Sequence, residues 1–483
     1  MRTVPVTRRQ FVVAGAAAAI GGSALSVRDR TRRAGPPNVL VIMVDTLRTD
    51  HCYGDHAHTP NMDALIRRGL SFTRVAPEAM PTVPVRNGFL SGRRGFPFRG
   101  WRDVDGLMNS PGWFPLKDIE HTWTSTLRRA GYWTGYVTDN PFLGFSTPYD
   151  PLRSSFDLFV RRGGQVGGTD QGVSQRELEH WMHPSIRGPK TADRLRKYLA
   201  NGGSERKESE TFTGRLFRSG VSALNQAARQ RPFALVVDTF GPHEPWTPPR
   251  KYIDLYGDPG WRGPEPGTLR YGRVSNWLDR DEAPRVLDRL RALYAAEVTM
   301  TDRWIGLLLD RLHELQLDRE TIVVLAADHG IFLGERGWTG KISVALHPEL
   351  AHVPLVIVHP ERRRAGQTTP YRASPHDLGR TLLAMTGVDP PPLMQGINLS
   401  RLFRGVQPPR RDYLYGGYAN SHYLRSDRWT FFADNRMRNP HLFDRRQDIA
   451  ELHDVAERYP DVARELHSIV VDHAEGRLPY YPG

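Results

Sequence analysis

The chain of 483 residues is 39% hydrophobic, enough for a sizeable core, and its length fits one large domain with a smaller appendage. It carries a formal net charge of +13, but the arginines are scattered and no basic stripe with interleaved aromatic residues occurs. These features exclude nucleic acid as the expected partner. The single cysteine, Cys52, excludes an intrachain disulfide.

The N-terminal residues are typical of an export signal. Residues 7–13, which include Arg8 and Arg9, resemble the twin-arginine export signature, and an apolar stretch follows at 14–25. This stretch is shorter than the roughly 20 apolar residues that a membrane span needs. We therefore predict a signal peptide over residues 1–26, recognition by the bacterial twin-arginine export machinery, and secretion to the periplasm or the extracellular space. No stable membrane span is expected after cleavage.

Continuous apolar runs alternate with helical patterns along the rest of the chain. Apolar runs rich in β-branched residues are typical of strands that are buried on both faces of a parallel sheet. Four such runs occur at residues 39–44, 234–237, 321–326 and 355–358. Helical patterns occur at residues 122–130, 284–315 and 377–385. This alternation predicts an α/β sandwich.

The remaining segments set the expected domain limits. A polar linker at 27–37 precedes a catalytic domain at 38–400, within which the polar and charged residues 161–220 indicate a partly mobile insertion at the rim of the site. After residue 401 the pattern changes to short alternating segments, followed by a helical pattern at 456–473. We predict a small α+β subdomain over residues 401–483.

Two predicted strands end in acidic residues. Asp45 follows the first run, and Asp328 with His329 follows the third. Because catalytic groups gather at the carboxyl ends of parallel strands, these side chains are expected to lie together. Two carboxylates and an imidazole are suitable ligands for one divalent metal, although an aspartate in that position is as often a turn or capping residue.

A third segment contributes a hydroxyl group and an arginine. Residues 80–88 have the pattern of a loop that enters a helix, with Pro84 in the first turn. Thr82 and Arg86 are four residues apart, so their side chains can point the same way. Beside a metal and at a helix N-terminus, Thr82 is a plausible nucleophile. The alternative is a capping threonine with a solvated arginine.

Taken in order, these segments resemble the sulfatase family of the alkaline phosphatase superfamily. The resemblance implies an alkaline-phosphatase-like α/β/α sandwich with a mainly parallel central sheet, plus a small C-terminal α+β subdomain. The matching segments are short but occur in the family's order from residue 38 to residue 451. They lie at residues 38–45, 58–65, 90–93, 242–246, 328–338, Lys341 and 441–451.

The resemblance also implies roles for individual residues. Asp45 and Asp328 match metal ligands, with His329 and the hydroxyl of Thr82 completing the expected set. Thr82 occupies the position of the family's nucleophile, and Arg86 that of the arginine that stabilises it.

Further positions match groups that contact the substrate. His243 resembles the histidine that contacts the transferred group or the leaving oxygen, and Lys341 resembles the lysine that holds the transferred anion. Asn140 lies where many sulfatases have cationic residues, and we count it among the substrate-binding positions. We expect His243 or His347 to act as general acid or base.

The sequence departs from the family at the nucleophile. Sulfatases have a cysteine or serine there, which is oxidised to formylglycine, whereas threonine cannot give that aldehyde by the same route. The hydrated aldehyde releases sulfate by breaking its own C–O bond, whereas a threonine ester needs attack by water at sulfur or phosphorus. Threonine nucleophiles occur in superfamily relatives that act on phosphodiesters or transfer phospho-groups. This departure favours phosphorus esters.

Other departures concern the metal. Thr46 stands where many sulfatases have a further aspartate ligand, and His329 stands where many have asparagine. The imidazole moves the expected ion toward manganese or zinc, with calcium or magnesium as the alternatives. A second ion would need a set such as Asp238 with His243, whose spacing differs from the usual one, so we expect a single ion.

The sequence therefore predicts a metal-dependent hydrolase of sulfate or phosphate-type esters, with phosphorus esters or phosphonates slightly favoured. The expected substrate is a small or polymeric anionic ester. Two alternatives stay open: a phospho-group transferase, in which an alcohol replaces water, and a non-catalytic anion-binding protein with the same fold. The sequence does not assign an oligomeric state.

Overall fold

A computed structural model describes residues 35–143, 150–202 and 207–482, so the predicted export signal lies outside the described residues. Pro36–Gly483 forms one compact unit. The described strands are β1 Asn38–Val44, β2 Leu70–Val75, β3 Ala79–Met80, β4 Trp133–Thr138, β5 Leu158–Arg161, β6 Phe233–Thr239, β7 Gly272–Arg273, β8 Thr321–Ala327, β9 Phe332–Leu333, β10 Trp338–Gly340, β11 Leu355–Val358, β12 Gln367–Ala373, β13 Leu414–Tyr418, β14 Ser421–Arg425, β15 Trp429–Asp434 and β16 His441–Asp444.

Helices occupy most of the segments between these strands. The described helices are α1 Thr49–Cys52, α2 Pro60–Arg68, α3 Thr82–Ser91, α4 Trp123–Arg129, α5 Asp150–Ser154, α6 Gln175–His180, α7 Pro189–Gly202, α8 Phe212–Ala227, α9 Arg250–Ile253, α10 Ala283–Glu314, α11 Pro348–Ala351, α12 Asp377–Thr386 and α13 Pro460–His473. None of them has the length and apolar character that crossing a bilayer requires.

The central sheet has eight strands in the order β12-β2-β11-β8-β1-β6-β4-β5. All neighbours pair in parallel except β11, which is antiparallel to both β2 and β8. The expectation of a mainly parallel sheet is thereby confirmed, but the apolar run at Leu355–Val358 does not run parallel as its pattern suggested. Burial on both faces makes a strand uniformly apolar whichever way it runs, so the pattern carries no direction.

Two groups of helices form the outer layers of the sandwich. One contains α2, α8, α9 and α10, and the other contains α3, α4 and α12. All seven residues of β1 are buried, so both faces of the sheet are covered.

Part of the predicted insertion belongs to this core. Helix α8 buries Leu216, Phe217 and Leu224 and packs on β4, β6 and α10. The composition of this helix is polar on average, although its apolar residues lie on one buried face. The expectation of a polar insertion over the whole of residues 161–220 is therefore wrong for this helix.

The C-terminal segment forms a second sheet in the order β16-β15-β14-β13-β3, and α13 packs on β14 and β15. This arrangement confirms the α+β subdomain. Its last strand, β3, comes from the catalytic part of the chain and pairs in parallel with β13. Because β3 ends at Met80, the C-terminal sheet fixes the chain two residues before Thr82.

Candidate active site

Three predicted metal ligands meet at the carboxyl ends of β1 and β8, which are neighbouring parallel strands. Asp45 follows β1, and Asp328 and His329 follow β8; all three are fully buried. Ligand atoms from these residues lie within 4.8 Å of one another. The ends of adjacent parallel strands thus bring together the carboxylates and the imidazole, as the sequence pattern indicates.

Thr46 orients both carboxylates. Its backbone N–H donates to Asp328 Oδ1 at 2.8 Å, and its hydroxyl donates to Asp45 Oδ1 at 2.6 Å. The residue has a φ of 61°, an uncommon conformation for a β-branched side chain. This local strain accompanies two hydrogen bonds that fix the cluster, so Thr46 supports the candidate ligands at a position where many sulfatases have a ligand.

His329 presents one ring nitrogen to the cluster. Nδ1 lies 2.9 Å from the Gly330 carbonyl oxygen, which accepts its proton, so Nε2 carries the lone pair. Nε2 lies 3.2 Å from Thr82 Oγ1 and 3.5 Å from Asp328 Oδ2. Burial, aided by the Lys341 ammonium, lowers the pKa of His329 to about 4, against the charge of Asp328, which raises it. The imidazole is therefore neutral at pH 7 and can act as a ligand through Nε2.

Thr82 is the first residue of α3 and is 1% exposed. Its hydroxyl lies against His329 Nε2, at the helix end where unpaired backbone N–H groups create a positive potential. The helix that was expected to have Pro84 in its first turn is present as α3. One turn after Thr82, Arg86 Nη1 donates to the Thr82 carbonyl oxygen at 3.2 Å.

Arg86 is fully buried among three aspartates. Nε and Nη2 bind Asp238, with Nη2 2.7 Å from Oδ1, while Nη1 lies 2.5 Å from Asp328 Oδ2 and 3.2 Å from Asp45 Oδ2. Asp238 also accepts from Tyr136 and Thr138, at 2.8 and 3.2 Å. With these contacts Asp238 anchors Arg86.

The charge of this cluster suits a divalent cation. One guanidinium faces three buried carboxylates, so two carboxylate charges lack a partner within the group. Burial, and next the charge of Asp328, raise the pKa of Asp45 well above its usual value. Two carboxylates and a neutral imidazole are ligands that divalent metal ions accept, so Asp45, Asp328 and His329 could together hold such an ion.

His243 and Lys341 form a hydrogen-bonded pair beside the cluster. Lys341 Nζ lies 2.6 Å from His243 Nε2, and His243 Nδ1 lies 2.7 Å from the Glu244 carbonyl oxygen. Burial lowers the pKa of His243 to about 3, so Nδ1 donates and Nε2 accepts from the ammonium. Both ring nitrogens are therefore engaged in this arrangement, Nδ1 with the Glu244 carbonyl oxygen and Nε2 with Lys341.

The two remaining predicted positions differ in their surroundings. Asn140 is buried, with Nδ2 3.5 Å from Asp45 Oδ2, so it belongs to the cluster. His347 has Nδ1 3.2 Å from Glu451 Oε2, and its ring contacts Phe432 and Phe443 of the C-terminal sheet. These contacts join His347 to the C-terminal subdomain, and none of its contacts in the described part of the chain is with Thr82.

Several supporting residues escaped the sequence reasoning. Tyr271 donates to Glu244 Oε1 at 2.5 Å, and its ring lies 5.1 Å from Lys341 Nζ. Thr138 and Tyr136, which hold Asp238, lie on β4, whose pattern was not recognised as a strand. Of these residues, Thr138 lies two places before the predicted Asn140, whereas Tyr136 and Tyr271 have no predicted site residue within two places.

Comparison with known proteins finds family models and relatives that match most of the chain. The model of the family described as Sulfatase matches residues 37–388, and a second model, described as N-sulphoglucosamine sulphohydrolase, C-terminal, matches residues 334–475. The choline-sulfatase of Rhizobium meliloti is 26% identical over 446 residues, which cover 88% of this chain and 83% of the relative. The arylsulfatase of Clostridium perfringens is 24% identical, with 92% of this chain and 96% of the relative covered.

Solved structures share the fold. A phosphonate monoester hydrolase from Silicibacter pomeroyi superposes with a TM-score of 0.70 at 22% identity, covering 91% of this chain and 96% of the other. The family model alone spans most of the chain and includes Asp45, Thr82, His243, Asp328 and Lys341. The chain therefore belongs to the sulfatase family, and it is a sulfatase-like ester hydrolase.

Proposed function

We propose that the chain hydrolyses an anionic sulfate or phosphorus ester through a covalent ester on Thr82, and that phosphorus esters or phosphonates are slightly preferred. The observation that carries this proposal is the position of the Thr82 hydroxyl, 3.2 Å from His329 Nε2 beside two buried carboxylates. A hydroxyl at a helix N-terminus, next to candidate metal ligands, is arranged for nucleophilic attack.

The reaction is divided into two displacements at the same atom. Thr82 Oγ1 releases its proton to solvent as it forms a bond to phosphorus or sulfur in line with the leaving oxygen, which departs with the bonding electrons and takes up a proton. A divalent ion held by Asp45, Asp328 and His329 supplies Lewis-acid stabilisation of the attacking oxygen when it is bound. Water then attacks the same atom and releases Thr82, because a threonine ester has no hydrated aldehyde from which to collapse.

The two cationic residues, Lys341 and Arg86, have different roles. Lys341 uses one N–H to bind His243 and retains further donors for the oxygens of the transferred group. Arg86 directs its donors to Asp238, Asp328 and the Thr82 carbonyl oxygen, so we assign it a positioning role. It holds the carboxylates and the first turn of α3 in place around the hydroxyl.

The preference for phosphorus rests on Thr82 and His329. Named relatives of this chain are sulfatases, whereas a phosphonate monoester hydrolase shares its fold. Threonine removes the aldehyde route of sulfate release, and His329 adds an imidazole to the ligand set. Both features favour in-line chemistry at phosphorus with manganese or zinc as the first expected ion.

A substrate panel tests this preference. With purified enzyme supplied with manganese or zinc, kcat/KM for a phosphodiester or a phosphonate monoester is expected to exceed that for the aryl sulfate with the same leaving group. Matching the leaving group isolates the transferred atom. Turnover of the aryl sulfate far above every phosphorus ester would contradict the preference and leave the family's sulfatase chemistry as the better description.

Export is proposed from the N-terminal residues alone. Because the twin-arginine machinery recognises the paired arginines, the double change Arg8→Lys and Arg9→Lys is expected to retain the chain in the cytoplasm. Fractionation with immunodetection measures the outcome, and Arg28→Lys with Arg30→Lys, beyond the apolar stretch, provides a control with the same change in residue type. Undiminished secretion of the Arg8 and Arg9 double variant would remove the proposal.

A further inference from the structure

A small cavity of about 140 Å³ lies where the edge of the central sheet meets the C-terminal sheet. Four arginines line it: Arg74 on β2, Arg372 on β12, Arg425 at the end of β14 and Arg445 directly after β16. They come from strands that are distant in sequence, so the fold brings four guanidinium groups to one place. Like charges gathered in this way repel one another unless anions lie between them.

The carboxylates beside these arginines are fewer than the arginines. Asp427 pairs with both Arg74 and Arg372, lying 2.6 Å from Arg372 Nη2, and its side chain is 66% exposed. Glu451 lies 3.5 Å from Arg425 Nη1 and also pairs with His347. Among the residues that the structure describes, two shared carboxylates therefore face four guanidinium groups, and the cavity retains an excess of positive charge.

Two of the arginines also have donors without partners. Arg425 is 9% exposed and gives one N–H to the Leu346 carbonyl oxygen, yet its buried Nε has no hydrogen-bond partner among the described residues. Arg445 gives Nη1 to the Ser426 carbonyl oxygen at 3.0 Å, and its buried Nε is likewise unpartnered in the described structure. Buried donors without partners are uncommon because they forfeit hydrogen bonds to water.

We propose that this cavity is a second anion-binding site, separate from the catalytic centre, which takes the tetrahedral sulfate or phosphate group. Guanidinium forks bind such oxygens in pairs. The cavity is well below the roughly 300–1,000 Å³ of pockets for larger organic ligands, so it suits one oxoanion. The same group reaches the site either as free inorganic anion or as a charged substituent of a polymeric substrate.

The test removes the catalytic site from the measurement. Inorganic sulfate and phosphate are titrated calorimetrically into the purified full chain, at constant ionic strength, in a Lys341→Ala background that weakens binding at the catalytic centre. A binding event is expected to remain. Arg445→Gln is expected to weaken this event about tenfold or more, whereas Arg446→Gln, an exposed neighbour with the same loss of charge, leaves it unchanged.

Further arms complete the test. Arg445→Gln alone is expected to leave kcat on the best substrate unchanged, because Arg445 contacts none of the residues around Thr82. If Arg445→Gln does not fold, Arg74→Gln makes the same test, because the Arg74 side chain is 37% exposed at the rim.

Tighter binding of a sulfated oligosaccharide than of inorganic sulfate in the Lys341→Ala protein would identify the substrate-borne group, and weaker binding would identify the free anion. The absence of any binding event in Lys341→Ala, or an event that Arg445→Gln leaves unaltered, would overturn the proposal.

Discussion

Replacing Asp328 with alanine is expected to remove a bound divalent ion and the hydrolytic activity together. Asp328 contributes a carboxylate to the candidate metal site, and its Oδ1 accepts from the backbone N–H groups of Thr46 and His329. Its loss therefore removes one ligand and releases the restraints on the others. We expect turnover to fall on the order of 10³-fold or more, measured as initial rates beside elemental analysis of the same preparation.

A matched pair of variants distinguishes the loss of a metal ligand from the loss of a buried charge. Asp328→Asn and Asp377→Asn each neutralise a fully buried aspartate without changing its size, and Asp377 binds Arg411 away from the candidate ligands. We expect Asp328→Asn to lose the ion, whereas Asp377→Asn lowers thermal stability and retains it. Full activity in a protein that holds no stoichiometric divalent ion would contradict the metal assignment.

The fold was predictable where burial on both faces makes a strand uniformly apolar. Strands β1, β6, β8 and β11 were found within two residues of their observed ends for this reason. Strand β12 was not found, because one of its faces is exposed and its seven residues include glutamine, threonine and arginine. Local patterns also carry no information about strand direction, which is why β11 was expected to be parallel.

The site was predictable where it follows strand ends or a motif. Local sequence predicts Asp45, Asp328 and His329, since Asp45 and Asp328 directly follow buried strands and His329 is next to Asp328. The ion pair of Arg86 with Asp238 joins residues 152 positions apart, and no local pattern specifies such a partner. The pairing of β3 with β13, which fixes the chain before Thr82, involves a strand of only two residues and likewise has no sequence signature.

Replacing Thr82 with alanine is expected to have the other large effect, a loss of activity on the order of 10³-fold or more with the fold intact. The hydroxyl would form the covalent intermediate, so without it only the binding and charge-stabilising groups remain to promote direct attack by water. Folding is not expected to suffer, because the hydrogen bond of this side chain is to His329, and the bond from Arg86 goes to the backbone carbonyl.

Two further variants distinguish the hydroxyl from the shape of the residue. Thr82→Val preserves the branched side chain without an oxygen and is expected to be as inactive as Thr82→Ala. Thr82→Ser keeps the oxygen and is expected to retain part of the activity, reduced because serine lacks the methyl group that restricts the rotamer.

The covalent product can be located directly. Intact mass is expected to show unmodified threonine in the resting enzyme and no aldehyde on Cys52, which is fully buried in α1. Acid quenching during turnover, followed by peptide mass analysis, is expected to place the phosphoryl or sulfuryl group on the peptide that contains Thr82. Retention of full activity in both Thr82→Ala and Thr82→Val would rule out this hydroxyl as the nucleophile. The carboxylate and imidazole cluster would then have to act on a water molecule in a single displacement, which predicts inversion at phosphorus where two displacements predict retention.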